Sequence, residues 1–581
     1  MSIYDKSSLV LIPSGTKTGK VFSQKPVSGD GDFTFTRSSA ATRVNADGNI
    51  EKETGNLLTY SKNLASSGWT LASATSSAAA DFDGGNNANE ITGSGFIYQS
   101  ISGFSGVHTF SVYAKAGNWE GVRLRIDIAS NSPQVFFNLS DGSYFSNSND
   151  IDVSITDVGN DWYRCTLTGN VSAANNFRIY PADSTNLGGT GSVILYKAQA
   201  EYGLVARDYI ETTTSAVYGG ITDNVPRLDY TDSSCPALLL EPLRTNNIAH
   251  SEYLVGISAV NATTSANETI SPDGGNNATK LSALISAPSS QWARYYNIVQ
   301  TNQKQALSIY AKAGNIDDFT ITYYDQSTGD LFFNYDLGAG SVSAPTGNAN
   351  YVDADIQDLG NGWYRCIAVV NAQAAGTNGQ FQVSAGVQRV VQNIGDYVYI
   401  YGYQWEQNAS YATSYIPTYG SSVSRVQDSF YNNGYQANNI FGTNSGSIFF
   451  DFGDEFTLFD GVSNSSPVDR MQFVDITAYG GGYFRFRGGE TNHYLQLVNM
   501  DAANTSLTFS DQTKYCICWD SNGVDFYGDG ALIDSTTIGI VPSINRIENG
   551  LSGTQRETRI ERILFFTNKL SSQEAIDLTT L

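Results

Sequence analysis

The residues best suited to chemistry in this sequence are oxygen donors in glycine-rich turns. Asp83-Gly84-Gly85-Asn86-Asn87-Ala88 and Asp273-Gly274-Gly275-Asn276-Asn277-Ala278 each gather a carboxylate and amide oxygens in one tight segment, a donor set that suits a hard cation such as Ca²⁺. The candidate ligands are Asp83, Asn86, Asp273 and Asn276. The same residue types form turns without any metal, and their spacing departs from that of an EF-hand loop; the bare turn is the favoured reading, and no cofactor is required. Glycan hydrolysis needs two carboxylates about 5–9.5 Å apart, and acids close in sequence occur at Asp353, Asp355 and Asp358 and at Glu557 and Glu561. On strands such acids ordinarily make a solvated face. The three histidines, His108, His250 and His493, are far apart in sequence, and there is no nucleophile elbow, P-loop or metalloprotease helix. The expectation is a protein without enzymatic activity.

The two turns recur because the chain is internally duplicated. Glu51, Asn56, Ser61 and Leu64 return as Glu241, Asn246, Ser251 and Leu254 at the same offset as the turns. Farther on, Tyr113-Ala114-Lys115-Ala116-Gly117-Asn118 returns as Tyr310-Ala311-Lys312-Ala313-Gly314-Asn315, and Trp162-Tyr163-Arg164-Cys165 as Trp363-Tyr364-Arg365-Cys366. The offset grows between motifs, so insertions fall in loops. Within a copy the pattern is strand after strand: Thr109-Phe110-Ser111-Val112-Tyr113-Ala114 and Val122-Arg123-Leu124-Arg125-Ile126 alternate with a period of two, as do their counterparts. The fold class is therefore all-β, with tandem jelly-roll sandwiches at 56–215 and 246–428 joined by a connector at 216–245. Residues 429–581 read as a third, unrelated sandwich ending in a short helix capped at Ser571 or Ser572. Residues 1–55 are too short for a core of their own and are expected to pair with another chain.

The duplication sorts the aromatic residues. In Trp-Tyr-Arg-Cys the tryptophan and arginine share one strand face, where Trp162 and Trp363 could stack on a sugar or on the guanidinium; shared residues more often mark what the fold needs, and packing is favoured. Aromatics found in one copy only are better candidates for carbohydrate binding. Trp119 stands where the second copy has Ile316, and the second copy alone carries Trp292, Tyr295, Tyr296, Tyr323 and Tyr324. They could form a stacking platform; ordinary core is the alternative.

Composition narrows the partners. The 581 residues include 56 Gly, 35 Tyr and 29 Phe but only 15% charged residues, which suits strands joined by tight turns. The net charge of −23 repels phosphate backbones and anionic membranes, so neither nucleic acid nor membrane insertion is expected. The five cysteines include no C-x-x-C pair, which signals neither a disulfide framework nor zinc. The N-terminus lacks a secretion-signal pattern, and synthesis in a cytoplasm is expected.

Several stretches carry a family resemblance. The segment Phe33-Thr34-Phe35-Thr36-Arg37-Ser38-Ser39-Ala40-Ala41-Thr42-Arg43-Val44-Asn45 with Asp47-Gly48 and Glu51, the segment from Arg227-Leu228-Asp229-Tyr230 to Leu239-Leu240-Glu241-Pro242 with Arg244-Thr245-Asn246, and the two sandwich copies resemble tail-fibre, head-fibre and spike proteins of tailed bacteriophages. The copies are similar to carbohydrate-binding-module-like jelly rolls. The last unit, with Gly528-Asp529-Gly530 and a final Ile563-Leu564-Phe565-Phe566 strand, looks like a concanavalin A or laminin G-like domain. The resemblance implies a homotrimeric virion fibre or spike on capsid or tail. It would be anchored to other virion proteins through residues 1–55 and attached to host-surface or environmental glycans. A decoration protein without ligand and a polysaccharide depolymerase are the alternatives. Removing residues 1–55 is expected to abolish incorporation into particles and leave the sandwiches folded.

Overall fold

The computed structural model describes the chain apart from residues 1, 147–148, 183–189, 255–256, 285–291, 300–302, 326–328, 373–377, 389, 391–392, 434–439, 441–444, 454–467, 475–482, 489–492, 499–505, 510–512, 541–543, 545, 550–556 and 581. The second copy is a two-layer sandwich of six-stranded antiparallel sheets. One layer holds Ala262–Thr269, Ala278–Ala283, Tyr397–Gln407, Lys304–Ala313, Trp363–Asn371 and Tyr351–Gly360, in that order across the sheet. The other holds Ser258–Val260, Trp292–Val299, Asn378–Ala385, Asp318–Asp325, Gly329–Asp336 and Ser341–Ser343. The first copy has the same path with fewer breaks. Its strand Ala88–Ala116 flanks Gly191–Tyr202 with both ends, through residues 89–93 and 108–116, while residues 97–100 pair with 176–179 in the opposite layer. Strand Trp162–Ala182 likewise serves both layers. Alternation decides which side chains point inward: Val122, Leu124 and Ile126 enter one core, and Phe319, Ile321 and Tyr323 the other.

Residues shared by the copies hold each connector to its sandwich. The Asn56 amide donates to the carbonyls of Ala198 and Ile210 and its oxygen accepts from Leu58 and Ala200. Asn246 repeats all four bonds with Tyr403, Ile416, Ile248 and Trp405. Gln199 and Glu201, matched by Gln404 and Glu406, are buried beside them. Burial outweighs the hydrogen bond from Gln199 and raises Glu201 from the ordinary 4.5 to about 7. The folded chain therefore binds a proton here more tightly than the unfolded chain, and stability falls as pH rises between those two values. Glu201→Gln is expected to raise the melting temperature at pH 8 and leave it unchanged at pH 4, as read by calorimetry.

The third unit packs a six-stranded sheet against a nine-stranded one, and the N-terminus is part of both. Strand Leu9–Leu11 pairs with Arg562–Phe566, and Phe33–Thr36 pairs with Ser429–Asn433. Leu9, Leu11, Val21, Phe33 and Phe35 are buried in the same core as Trp519 and Phe565. The segment expected to pair with another chain pairs instead with the C-terminal unit of its own. The apolar alternation that made it read as a docking strand is satisfied within the chain. Strand Ala237–Leu240 of the connector also joins this unit, pairing with Thr558–Ile560, so residues 216–245 are more than a tether.

Where the N-terminal segment, the connector and the end of the second sandwich meet lies a buried ionic hub. Arg37, Arg227, Arg425, Glu241 and Asp428 are all at most 1% exposed. Arg227 bridges Glu241 and Asp428, Arg37 pairs with Asp428 at 3.1 Å, and Arg425 pairs with Glu241 at 2.7 Å. Burial alone would push the Glu241 carboxyl up, but Arg425 and Arg227 outweigh it and hold it well below the usual carboxylate range. Arg37 of the N-terminal segment and Arg227 and Glu241 of the connector thus form one structural junction with Arg425 and Asp428. A second buried cluster ties the sandwiches together: Lys52 contacts Glu252 at 2.6 Å and Asp273 at 2.8 Å, and Arg207 of the first copy contacts the same Asp273 at 2.5 Å.

Candidate functional site

The glycine-rich turns are committed to protein groups. In the first, Asp81 accepts the N–H groups of Asp83, Gly85 and Asn87 at 2.8–2.9 Å, which overcome the opposing effect of burial and hold its carboxyl at about 2. Asp83 binds Lys197 at 2.8 Å and the Tyr196 hydroxyl at 2.8 Å, while Asn86 is exposed. In the second, Asp273 is neutralised by Lys52 and Arg207, and Asn276 donates to the Asn267 carbonyl. Two cations on one carboxylate leave Asp273 no charge to offer Ca²⁺, which corrects the metal reading there. Among the described residues, no group of three or more His, Cys, Asp or Glu side chains is placed to hold a metal ion.

Among the described residues, the aromatic candidates do not form one platform. Tyr323 is fully buried, edge-on to Trp405 at 6.3 Å, because strand alternation sends it inward with Phe319 and Ile321. Tyr324 faces outward, half-buried. Trp292 is half-buried and pairs through its backbone with Val260. Tyr295 and Tyr296 lie in the strand Trp292–Val299, but their side chains fall outside the described residues. Trp119, in the other copy, lies against Gly191, where a Cβ would sit 2.0 Å from its ring. The shared tryptophans are core: Trp162 packs with Ala88 and Tyr196, and Trp363 with Tyr310, Tyr401 and Tyr415.

The structure instead gathers a different set on the outer face of the first copy, across strands Thr70–Ala79, Ala88–Ala116, Trp162–Ala182, Gly121–Asp127 and Gln134–Asn138. Arg123 is opposite Tyr180 on one side and Phe136 on the other, and Arg125 is opposite Arg178. Arg178 is in turn opposite Tyr98. The Arg123 guanidinium lies 4.0 Å from the Tyr180 ring centroid, Arg178 lies 4.5 Å from that of Phe96, and the Phe96 and Tyr180 rings are 4.8 Å apart. These side chains are half-buried, Tyr180 more deeply.

The charge on this face is unbalanced. Arg125 and Arg178 share one carboxylate, Asp127, with Arg125 Nε at 2.6 Å. Arg123 has no carboxylate partner among the described residues, and its Nε is buried without a hydrogen-bond acceptor. Burial lowers its pKa; the neighbouring Tyr180 works against this, while Arg125 and Arg178 add to it. Three guanidiniums with one carboxylate form a site for anionic oxygens, flanked by rings that can lie against the apolar face of a sugar.

The second copy lacks the arginines. By register, Arg123, Arg125, Phe136, Arg178 and Tyr180 correspond to Thr320, Thr322, Asn334, Gln382 and Ser384. Sequence reasoning compared the copies for aromatic residues alone. Comparing outward-facing charges as well would have found Arg123 and Arg125, whose strand was already legible.

No protein-family model matches the chain, and no curated protein does. Among solved structures, the N-terminal CBM22-1–CBM22-2 tandem domain of Xyn10C from Paenibacillus barcinonensis is similar at 10% identity and a TM-score of 0.21, covering 61% of this chain and 98% of that one. A glycoside hydrolase family 32 structure from Bifidobacterium adolescentis is similar at 7% identity and a TM-score of 0.16, covering 81% of this chain and 99% of that one. The all-β sandwich architecture stated here rests on the strand pairings themselves.

Proposed function

We propose that this chain is a non-enzymatic fibre or spike subunit of a tailed-bacteriophage virion, and that the outer face of its first sandwich binds glycans bearing acid groups. The observation that carries the binding reading is the cluster of Arg123, Arg125 and Arg178, with Asp127 as their shared carboxylate and Phe96, Tyr98, Phe136 and Tyr180 interleaved. A ligand carboxylate would accept from the guanidiniums while its ring lies beside the aromatic groups. The protein's overall charge of −23 opposes this only weakly, since charges farther than about 8 Å are screened at physiological salt. The face offers no pair of free acids for hydrolysis, because Asp127 is held by two arginines. The virion role is supported by the fibre-like segments around Arg37 and Arg227, and trimeric assembly and a C-terminal sandwich of concanavalin A or laminin G type belong to the same reading. Several weak sites on one particle would act together, with avidity above single-site affinity by roughly 10²–10⁴.

An array of bacterial surface polysaccharides probed with the purified protein is expected to retain it on uronate-rich or otherwise acidic chains. Retention on neutral chains alone would sink the assignment. Arg123→Ala combined with Arg178→Ala is expected to weaken binding at least about 100-fold, since each hydrogen bond to a charged group is worth about 1.5–3 kcal/mol. Detection of the protein on purified particles by labelled antibody in electron micrographs tests the virion role, and unlabelled particles would refute it.

A further inference from the structure

The basic face does not end at Arg123. Its sheet continues through Gln134–Asn138 to the edge strand Ser143–Ser146, where Phe145 is opposite Phe136, itself opposite Arg123. Alternation sends Tyr144 the other way, toward Phe137 at 6.3 Å. One line of side chains thus runs across the strands from Phe145 through Phe136 and Arg123 to Tyr180. In the second sandwich the same four positions are Ser343, Asn334, Thr320 and Ser384. Fold requirements common to both copies therefore do not account for the line.

The two ends of this line differ. Tyr180 is buried under the Arg123 guanidinium and beside Phe96, which has Arg178 over its own ring. These two rings hold the arginines in place and have little surface left to offer. Phe145, at the other end, is 72% exposed, and among the described residues no ring or cation packs on it. Phe136 is half-buried and reaches over Gly121 of the next strand, where a Cβ would sit 2.4 Å from its ring. The second sandwich has Asp318 in place of that glycine. Edge strands are ordinarily blunted by charge; an exposed phenyl beside a second ring on the same face instead favours cover by an apolar surface. Neighbouring strands lie about 4.8 Å apart, so Phe145 stands roughly 10 Å from Arg123, room for about one or two pyranose rings beyond a carboxylate held by the arginines.

Given that this face takes acidic glycans, we infer that it recognises an acidic sugar joined to a neutral one, laid across the strands. The acid lies at Arg123 and Arg178, and the neutral ring lies on Phe136 and Phe145. Guanidiniums draw the charged unit, and bare phenyl rings take the apolar face of an uncharged one, so each end of the line selects its own unit. Calorimetric titration of the full chain tests this with three probes: glucuronic acid, a tetrasaccharide of galacturonic acid, and a tetrasaccharide alternating glucuronic acid with N-acetylglucosamine. The alternating tetrasaccharide should bind about tenfold or more tighter than either of the others, the scale of covering one exposed apolar side chain. Phe145→Ala should remove that advantage, with an unchanged melting curve and unchanged affinity for glucuronic acid. Equal, arginine-dependent binding of all three probes would overturn the inference and leave the acid site standing. Binding of none at millimolar concentration would overturn both. An advantage that survives in Phe145→Ala, or a Phe145→Ala chain that loses oligomeric mass by light scattering with its glycan affinities intact, would also overturn it, the latter by making the edge a contact between copies.

Discussion

A chain lacking residues 1–36 is expected to lose the folded state of its C-terminal sandwich. The deletion removes strand Leu9–Leu11 from the edge beside Arg562–Phe566 and strand Phe33–Thr36 from the middle of the opposite sheet. It also withdraws Leu9, Leu11, Val21, Phe33 and Phe35 from the core. Burying one such side chain is worth about 1.5–3 kcal/mol, so five together amount to roughly 7–15 kcal/mol. That is comparable with the whole stability of a domain, about 5–15 kcal/mol. Hydrogen exchange is the suitable measurement, because it reads each unit separately. Protection of Lys514–Asp520 should vanish in the truncated chain while that of Lys304–Ala313 in the second sandwich persists. Full protection of both would mean that the N-terminal strands are dispensable, as expected of a detachable anchor.

Asp428→Ala is expected to destabilise the chain by about 3–5 kcal/mol, the usual loss when one partner of a buried ion pair is removed. Asp428 takes Arg37 on one oxygen and Arg227 on the other, and it also accepts the Glu241 backbone N–H at 2.8 Å. Without it, buried Arg37 loses its carboxylate partner and Arg227 keeps only Glu241, which Arg425 already engages. Urea unfolding should show the midpoint fall sharply, and Asp428→Asn should recover only part of the loss because it restores shape without charge. A change below about 1 kcal/mol, the range of an exposed pair, would contradict the hub's role. The same chemistry fixes the acid limb. Glu241 and Asp273 are held below the usual carboxylate range by adjacent cations, so their contribution is present above the unfolded pKa near 4. It is lost as pH falls through the lower folded values.

The fold was legible where the pattern is local. Alternation along 109–114 and 122–126, the turns at Gly117-Asn118 and Gly314-Asn315, and the repeated motifs were enough to read tandem β-sandwiches. The hub was not legible, because its members come from distant parts of the chain: Arg37 and Asp428 are 391 residues apart, and nothing in the sequence around either one names the other. The N-terminal strands were misread for the same reason, since an apolar alternation shows that a partner is needed and not which partner. Tyr323 and Tyr324 looked like one aromatic pair, yet consecutive strand residues point to opposite faces. Comparison of the copies for unshared residues was confined to aromatic side chains. Applied to charge as well, it reaches Arg123 and Arg125 of the basic face, which the second copy replaces with Thr320 and Thr322.

The central claim, that the basic aromatic face of the first sandwich reads acid groups on a glycan, is tested most directly by changing the ligand. An oligosaccharide rich in uronic acid and its carboxyl-reduced counterpart differ in charge and hardly in shape. The acidic form should bind the full chain measurably, weaken as salt is raised, and lose most of its affinity in the Arg123→Ala, Arg178→Ala protein, while the reduced form should bind poorly to both. Equal binding of the two forms, or acidic binding that the double substitution leaves untouched, would contradict the account.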